Sequence, residues 1–225
     1  MTGFIAPDFD REEVFGLPGP LPEGERLVWQ GSPDRQLVAR HVFKRRWLMG
    51  YFVVLAGWLV ATGFHFERDA VAFVTSLGAM AVAALFIFGL IELVSWGIAK
   101  TTRYSITTKR VVMRFGIALP KAFNLPFAEM EAADVMKRSD GSGSVFLRFK
   151  PEIRLAYLVF FPHVRGFRIR NPEPQFLALR DPDAAAVALG EQFRAFVARE
   201  QEASAPIRLE ATLEGYDGGA IQAAE

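Results

Sequence analysis

The sequence predicts an α+β membrane protein: a two-helix transmembrane hairpin inserted in an antiparallel β domain that a C-terminal helix closes. Three observations predict it. Trp47 to Phe64 and Ala70 to Ile91 are free of charge, and the charges between them are confined to Glu67, Arg68 and Asp69. Short alternating segments bounded by Gly, Pro and Ser flank these runs on both sides. From Asp181 to Ala203, apolar residues recur at helical spacing.

The elements follow in chain order. Residues 1–20 read as a flexible N-terminal segment, and residues 21–46 as the first strand of the domain followed by a basic juxtamembrane stretch. Leu27, Val28 and Trp29, between Gly24 and the Gly31-Ser32-Pro33 turn, supply that strand. The hairpin occupies 47–99, with spans at about 47–66 and 70–92. A helix rises about 1.5 Å per residue, so the apolar residues from Ala70 to Ile91 reach about 33 Å, enough for a hydrocarbon core of about 30 Å. The remainder of the domain occupies 100–203. Strands are expected at Tyr104–Ile106, Val111–Phe115, Phe123–Leu125, Val145–Phe149 and Arg154–Phe161, with a tight turn over 139–144. The helix over 181–203 starts with Asp181 and Asp183, which suit its N-terminal dipole. Residues 204–225 read as an acidic disordered tail. Several antiparallel strands closed by one helix are the pattern of a pleckstrin-homology-like (PH-like) domain.

Glu92 interrupts the apolar pattern. In one reading the helix leaves the hydrocarbon near Glu92, so that Glu92 and Trp96 are interfacial anchors, matched by Trp47 on the other span. In the other, the span starts later and Glu92 is buried against a partner on the first span or on another protein. Small residues, Gly57 and Ala61 on one span and Gly78, Ala79, Ala81, Ala83 and Ala84 on the other, are expected to pack the hairpin; a face for a third helix is the alternative.

Charge orients the hairpin. Arg35, Arg40, Lys44, Arg45 and Arg46 precede it and Lys100, Arg103, Lys109 and Arg110 follow it, whereas the turn offers only Arg68. Both termini are therefore expected in the cytoplasm. The first 46 residues hold seven acidic and seven basic side chains and no apolar core segment, so no cleaved signal peptide is expected. The net charge of +1 conceals an asymmetry: residues 101–200 carry sixteen Lys and Arg against ten Asp and Glu, whereas 201–225 carry one against five. A basic domain beside a bilayer suits anionic lipid or an acidic protein surface. Lys44, Arg45 and Arg46 are candidates for that docking, as are Arg165, Arg168 and Arg170, which alternate with Phe167 and Ile169 as on one strand face. A purely structural strand is the alternative for the second group. Nucleic acid is not expected as a partner of a membrane-tethered domain.

The search for chemistry yields little. Cysteine is absent, which excludes disulfides and thiolate chemistry. The three histidines, His41, His65 and His163, are far apart, and no HExxH, GxSxG or GxxxxGK[ST] pattern occurs. No enzyme, metal site or resident cofactor is expected. His65, at the far end of the first span, could ligate the magnesium of a bacteriochlorophyll; a plain headgroup-boundary histidine is the alternative. His163 is expected in a turn, and Glu129 and Glu131 on a water-exposed face.

"GERLVWQGSPD" before the hairpin and "TTRYSITTKRVVMRFG" after it resemble the bacterial PH-like membrane proteins. The segments "RVVMRFGIALPKAFNLPF", "DGSGSVFL" and "LAYLVFFPHVRGFRIRNPEPQFLALRD" resemble the PuhB family of photosynthetic complex assembly proteins in purple bacteria, over roughly residues 21–200. That resemblance implies a non-enzymatic assembly factor in the intracytoplasmic (inner) membrane. Its partners would be reaction-centre and core-antenna (light-harvesting) subunits. The broader resemblance implies instead a general lipid-binding or envelope-stress module. Homo-oligomerisation stays open.

Overall fold

The computed structural model describes residues 17, 19–65, 70–117, 119–153, 155–166 and 171–204, with the backbone alone at 64 and 65. Two antiparallel sheets form the domain. The first has the order β1-β2-β3-β4, built from Leu27–Gly31, Arg103–Thr107, Arg110–Phe115 and Lys121–Pro126. The second has the order β5-β6-β7, from Met130–Lys137, Gly143–Phe149 and Gln175–Leu179. A 3₁₀ turn, Phe127–Glu129, joins the sheets.

β1 and β2 are neighbours in the first sheet, with Trp29 opposite Ile106 and Gln30 opposite Ser105. Everything between them is an insertion. It begins with helix α1 (Arg35–Leu37), a single turn whose N-cap Asp34 accepts hydrogen bonds from the amides of Gln36 and Leu37 at 2.9 and 3.1 Å. A π-helical turn, Val38–Val42, follows, and the chain reverses at Lys44, whose φ is +50°. Then come α2 (Arg45–His65) and α3 (Ala70–Thr101). Both are long and apolar enough to cross a membrane, α2 over Arg45–Gly63.

At about 1.5 Å per residue the 32 residues of α3 extend about 48 Å, more than a hydrocarbon core requires. Its last turns belong to the domain: Ser95, Gly97 and Ile98 are buried. Ile98 joins Val38 of the π-turn and Leu177 and Ala178 of β7 in a small apolar cluster that seals the helix to the sheet.

The main core lies between the sheets and the closing helix α5 (Pro182–Ser204). Asp181 caps α5, accepting from the amides of Asp183 and Ala184, both at 3.0 Å. Ala185 and Leu189 are buried there, and Phe193 and Phe196 meet Phe127 at ring distances of 6.1 Å. Phe176 stacks between Trp29 and Tyr104, at 5.9 and 4.7 Å. Where β3 turns into β4, Gly116 has φ +132°, and a Cβ there would lie 2.2 Å from the Leu119 carbonyl oxygen. The turn therefore requires glycine.

The fold class is the expected one, with three corrections. Arg154–Phe161 is not a strand: Tyr157–Phe160 forms a short helix, α4, that buries Phe160 and exposes Leu158. A continuous apolar run carries no period-2 signal, and here it turns. Strand β7 is not among the expected elements, and β5 answers only to the alternative of a strand or a loop for the face that carries Glu131. Finally, Arg165 and Gly166 of the expected strand face lie in a turn after a bridge that pairs Val164 with Pro174, and residues 167–170 lie outside the described residues.

Candidate functional site at the hairpin base

The residues that sequence reasoning singled out gather where the hairpin joins the domain. Glu92 on α3 receives two arginines. Arg45, the first residue of α2, donates from Nη1 to Oε1, and Arg35 Nε lies 3.5 Å from Oε2. Glu92 thus has the partner on the first span that the second reading required. It clamps the two helix ends where they meet the domain, and its side chain stays one-third exposed. Trp47 is 81% exposed, so its ring does not pack against the rest of the protein. Trp96 is half-exposed and carries the Lys100 ammonium 4.7 Å from its ring centroid.

Of the three basic docking candidates at the start of α2, Arg45 is held by Glu92, while Lys44 and Arg46 are exposed. The next layer of charge is bound to the β5–β6 turn. Asp140 accepts from the Ser142 amide and hydroxyl at 3.2 and 2.5 Å. Arg40 and His41 of the π-turn each lie 3.3 Å from its Oδ2. The Ser142 hydrogen bonds hold the Asp140 carboxyl well below the usual carboxylate range, and burial pushes the His41 imidazole below its ordinary value.

Arg165 Nη1 sits 3.0 Å from Glu173 and 3.5 Å from Asp134, and its guanidinium lies 4.4 Å from the Phe146 ring centroid. Arg148 reaches the same two acids, at 3.6 and 2.9 Å. Glu173 is almost fully buried, so Arg165 anchors the loop as well as charging the surface. Arg168 and Arg170 lie outside the described residues, as does the side chain of His65. Glu131 is exposed on β5 and Glu129 half-buried.

Small residues do not pack the hairpin as expected. A Cβ on Gly57, Gly78 or Gly89 would meet nothing within 4 Å. Where α2 and α3 touch, aromatic rings fill the space, Phe52 against Phe88 at 5.9 Å and Phe73 against Gly63. Those faces are left open.

Sequence reasoning placed His163 in a turn, and it is there, but it is also 2% exposed and the centre of a buried polar cluster. The Tyr104 hydroxyl donates to His163 Nδ1 at 2.7 Å and accepts from the Leu177 amide at 3.1 Å. His163 Nε2 lies 3.4 Å from Thr102 Oγ1, at the end of α3. Desolvation pushes the imidazole down to about 3 and the Tyr104 phenol up, so both are neutral at physiological pH. The cluster thereby ties α3, β2, β7 and the loop after α4 together without charge. Tyr104 and His163 are 59 residues apart, and nothing local in the sequence links them.

Comparison with known proteins agrees with this architecture. A model described as "Bacterial PH domain" matches residues 50–157, from inside α2 to the start of α4; β1, β7 and α5 complete the domain outside that match. No solved structure matches the chain. A protein of Rhodobacter capsulatus, described as "Uncharacterized 23.7 kDa protein in puhA 5'region", is 36% identical over 200 residues, covering 88% of this chain and 94% of the relative. That relative is thus encoded in the puhA 5′ region. At that identity and coverage, the chain belongs to the family represented by the Rhodobacter capsulatus protein, and its residues 50–157 match the bacterial PH domain.

Proposed function

We propose that this protein is a non-enzymatic membrane assembly factor for the photosynthetic reaction centre and its core light-harvesting complex. The observation that carries the reading is the 36% identity, across nearly the whole chain, to a protein encoded in the puhA 5′ region. The hairpin base supports it. A PH-like platform is fixed rigidly to two apolar helices by the Glu92 clamp and the Ile98 cluster. The open small-residue faces around Gly57, Gly78 and Gly89 admit close approach by helices of nascent subunits. Exposed Lys44 and Arg46 suit anionic lipid or acidic subunit termini. The histidines support a non-enzymatic role: His163 is bonded into the core, and His41 is held at Asp140.

The topology in this reading is two membrane crossings with both termini in the cytoplasm. Because β1 and β2 pair directly, the two ends of the hairpin must lie on one side of the bilayer. Reporter fusions at residue 20 and at the C-terminus should both register cytoplasm, and a fusion within Glu67–Asp69 the opposite side. Any other pattern sinks the topology.

The test of function is a tagged full-length chain purified from photosynthetically grown membranes, alongside a deletion strain. Reaction-centre and core-antenna polypeptides should co-purify, and the deletion should deplete the assembled complex while leaving other membrane complexes intact. The second reading, a general lipid-binding or envelope-stress module, is favoured by the bacterial PH match alone. It predicts wild-type amounts of complex in the deletion strain, a result that would overturn our proposal.

A further inference from the structure

An apolar cavity of about 350 Å³ lies beside the buried His163 cluster. Val94 and Ile98 of α3 form one wall, Phe43 of the segment before α2 another, and Phe115, Ile117 and Phe161 the rest. Its volume is at the lower end of the range for small-molecule sites, about 300–1,000 Å³. Two wall residues, Ile117 and Phe161, are more than half exposed, and Leu119 and Leu158, close to them in sequence, are 76% and 85% exposed. A surface of this kind facing water is unusual and marks something that covers it.

Position and charge identify the cover. Val94 and Ile98 lie two and six residues past Glu92 on the same helix, about 3 and 9 Å along its axis. If the hydrocarbon ends near the Glu92 clamp, the cavity lies in the headgroup layer, where the first methylenes of acyl chains are within reach. Its lining runs directly into a cation, Phe43 into the exposed Lys44. The one ionisable group in the wall, His163, is held neutral by burial, so nothing inside repels an alkyl chain.

We infer that this cavity takes one acyl chain of an anionic membrane phospholipid, with the headgroup against Lys44. The inference rests on the membrane reading of α2 and α3, but not on which complex the protein assembles. The bound lipid would cover Ile117 and Phe161 and fix the rotation of the domain relative to the membrane.

The test uses the full-length protein in vesicles containing phosphatidylglycerol with a diazirine near the end of one acyl chain. After photolysis, the labelled peptides are mapped by mass spectrometry. Label is expected on Ile98, Phe115 and Phe161, and also on Leu85 and Phe86 of α3, which are 73% and 72% exposed and report membrane insertion independently. Val94→Trp and Ile117→Trp fill the cavity from opposite walls. Each should reduce cavity labelling about tenfold, the equivalent of about 1.4 kcal/mol, with Leu85 and Phe86 unchanged. Leu93→Trp, at an exposed neighbouring position, should change neither. Loss of label at Leu85 and Phe86 in the unaltered protein would overturn the membrane reading itself. Label there without label in the cavity would overturn only the lipid site. Equal labelling by a phosphatidylcholine analogue would overturn the anionic headgroup, and stronger displacement by a free isoprenoid alcohol would assign the cavity to a pigment tail.

Discussion

Tyr104→Phe is expected to destabilise the protein by about 3 kcal/mol, although it removes a single oxygen. That hydroxyl donates to His163 Nδ1 and accepts from the Leu177 amide, and all three groups are buried. Without it, an imidazole nitrogen and a backbone N–H lose their partners in the core, at about 1–3 kcal/mol for each unsatisfied group. The ring itself keeps its stacking on Phe176. In a chain of this size the loss corresponds to a fall of roughly 6–12 °C in unfolding midpoint, readable by thermal denaturation of the purified protein in detergent. Adding His163→Leu should cost less in the Tyr104→Phe background than alone, because the orphaned nitrogen goes too. A change below about 0.5 kcal/mol for Tyr104→Phe, the scale of an inert surface substitution, would mean that the bond is not made.

The same cluster sets a pH dependence. His163 is depressed to about 3 by burial, whereas an unfolded histidine titrates near 6.5. Below 6.5 the unfolded chain takes up a proton that the folded chain refuses, so stability rises with pH across that interval. The contribution is fully present above pH 6.5 and is lost as pH falls from 6.5 toward 3. Between pH 6.5 and pH 5 the loss is about 2 kcal/mol, at about 1.4 kcal/mol per unit. His163→Asn keeps an acceptor for Tyr104 but cannot be protonated in this range. Its stability should be lower at pH 7 yet flatter between pH 7 and pH 5, measured by urea denaturation in detergent. Parallel pH profiles for the two proteins would show that His163 is not buried and neutral.

What the sequence disclosed follows from which signals are local. β1 to β4 and α5 announce themselves through alternation, turn residues and the Asp181 cap. The two apolar helices stand out by length alone. β5 does not, because most of its side chains face solvent and Glu131, Asp134 and Lys137 give it the look of a loop. β7 is buried on both faces, so Gln175–Leu179 shows no alternation. In the candidate site, Glu92 drew attention as a charge at the end of an apolar run. Its partner Arg45, 47 residues earlier, was equally visible at the start of the other run, although only the fold shows that the ends meet. Arg165 was legible as a cation but not as the partner of Glu173, since that pairing depends on how the loop folds back. His163 gave no sign of its role, because burial is a property of the whole domain.

The placement of the hairpin between two adjacent strands also governs how the chain can be made. Gln30 and its partner Ser105 are 75 residues apart, and a ribosome adding about 5–20 residues per second separates their synthesis by about 4–15 s. During that interval β1 has no strand to pair with, and its apolar side chains await a surface that does not yet exist. In the two-crossing topology proposed above, β2 can meet it only after α3 has been delivered to the side of the bilayer on which β1 was left. The first sheet thus cannot close in a chain whose insertion has failed. Such a chain exposes an unpaired edge and the unfilled half of a core, the features by which quality-control proteases and chaperones recognise their substrates. In that topology, folding of the aqueous domain would act as a built-in proofreading step for membrane integration.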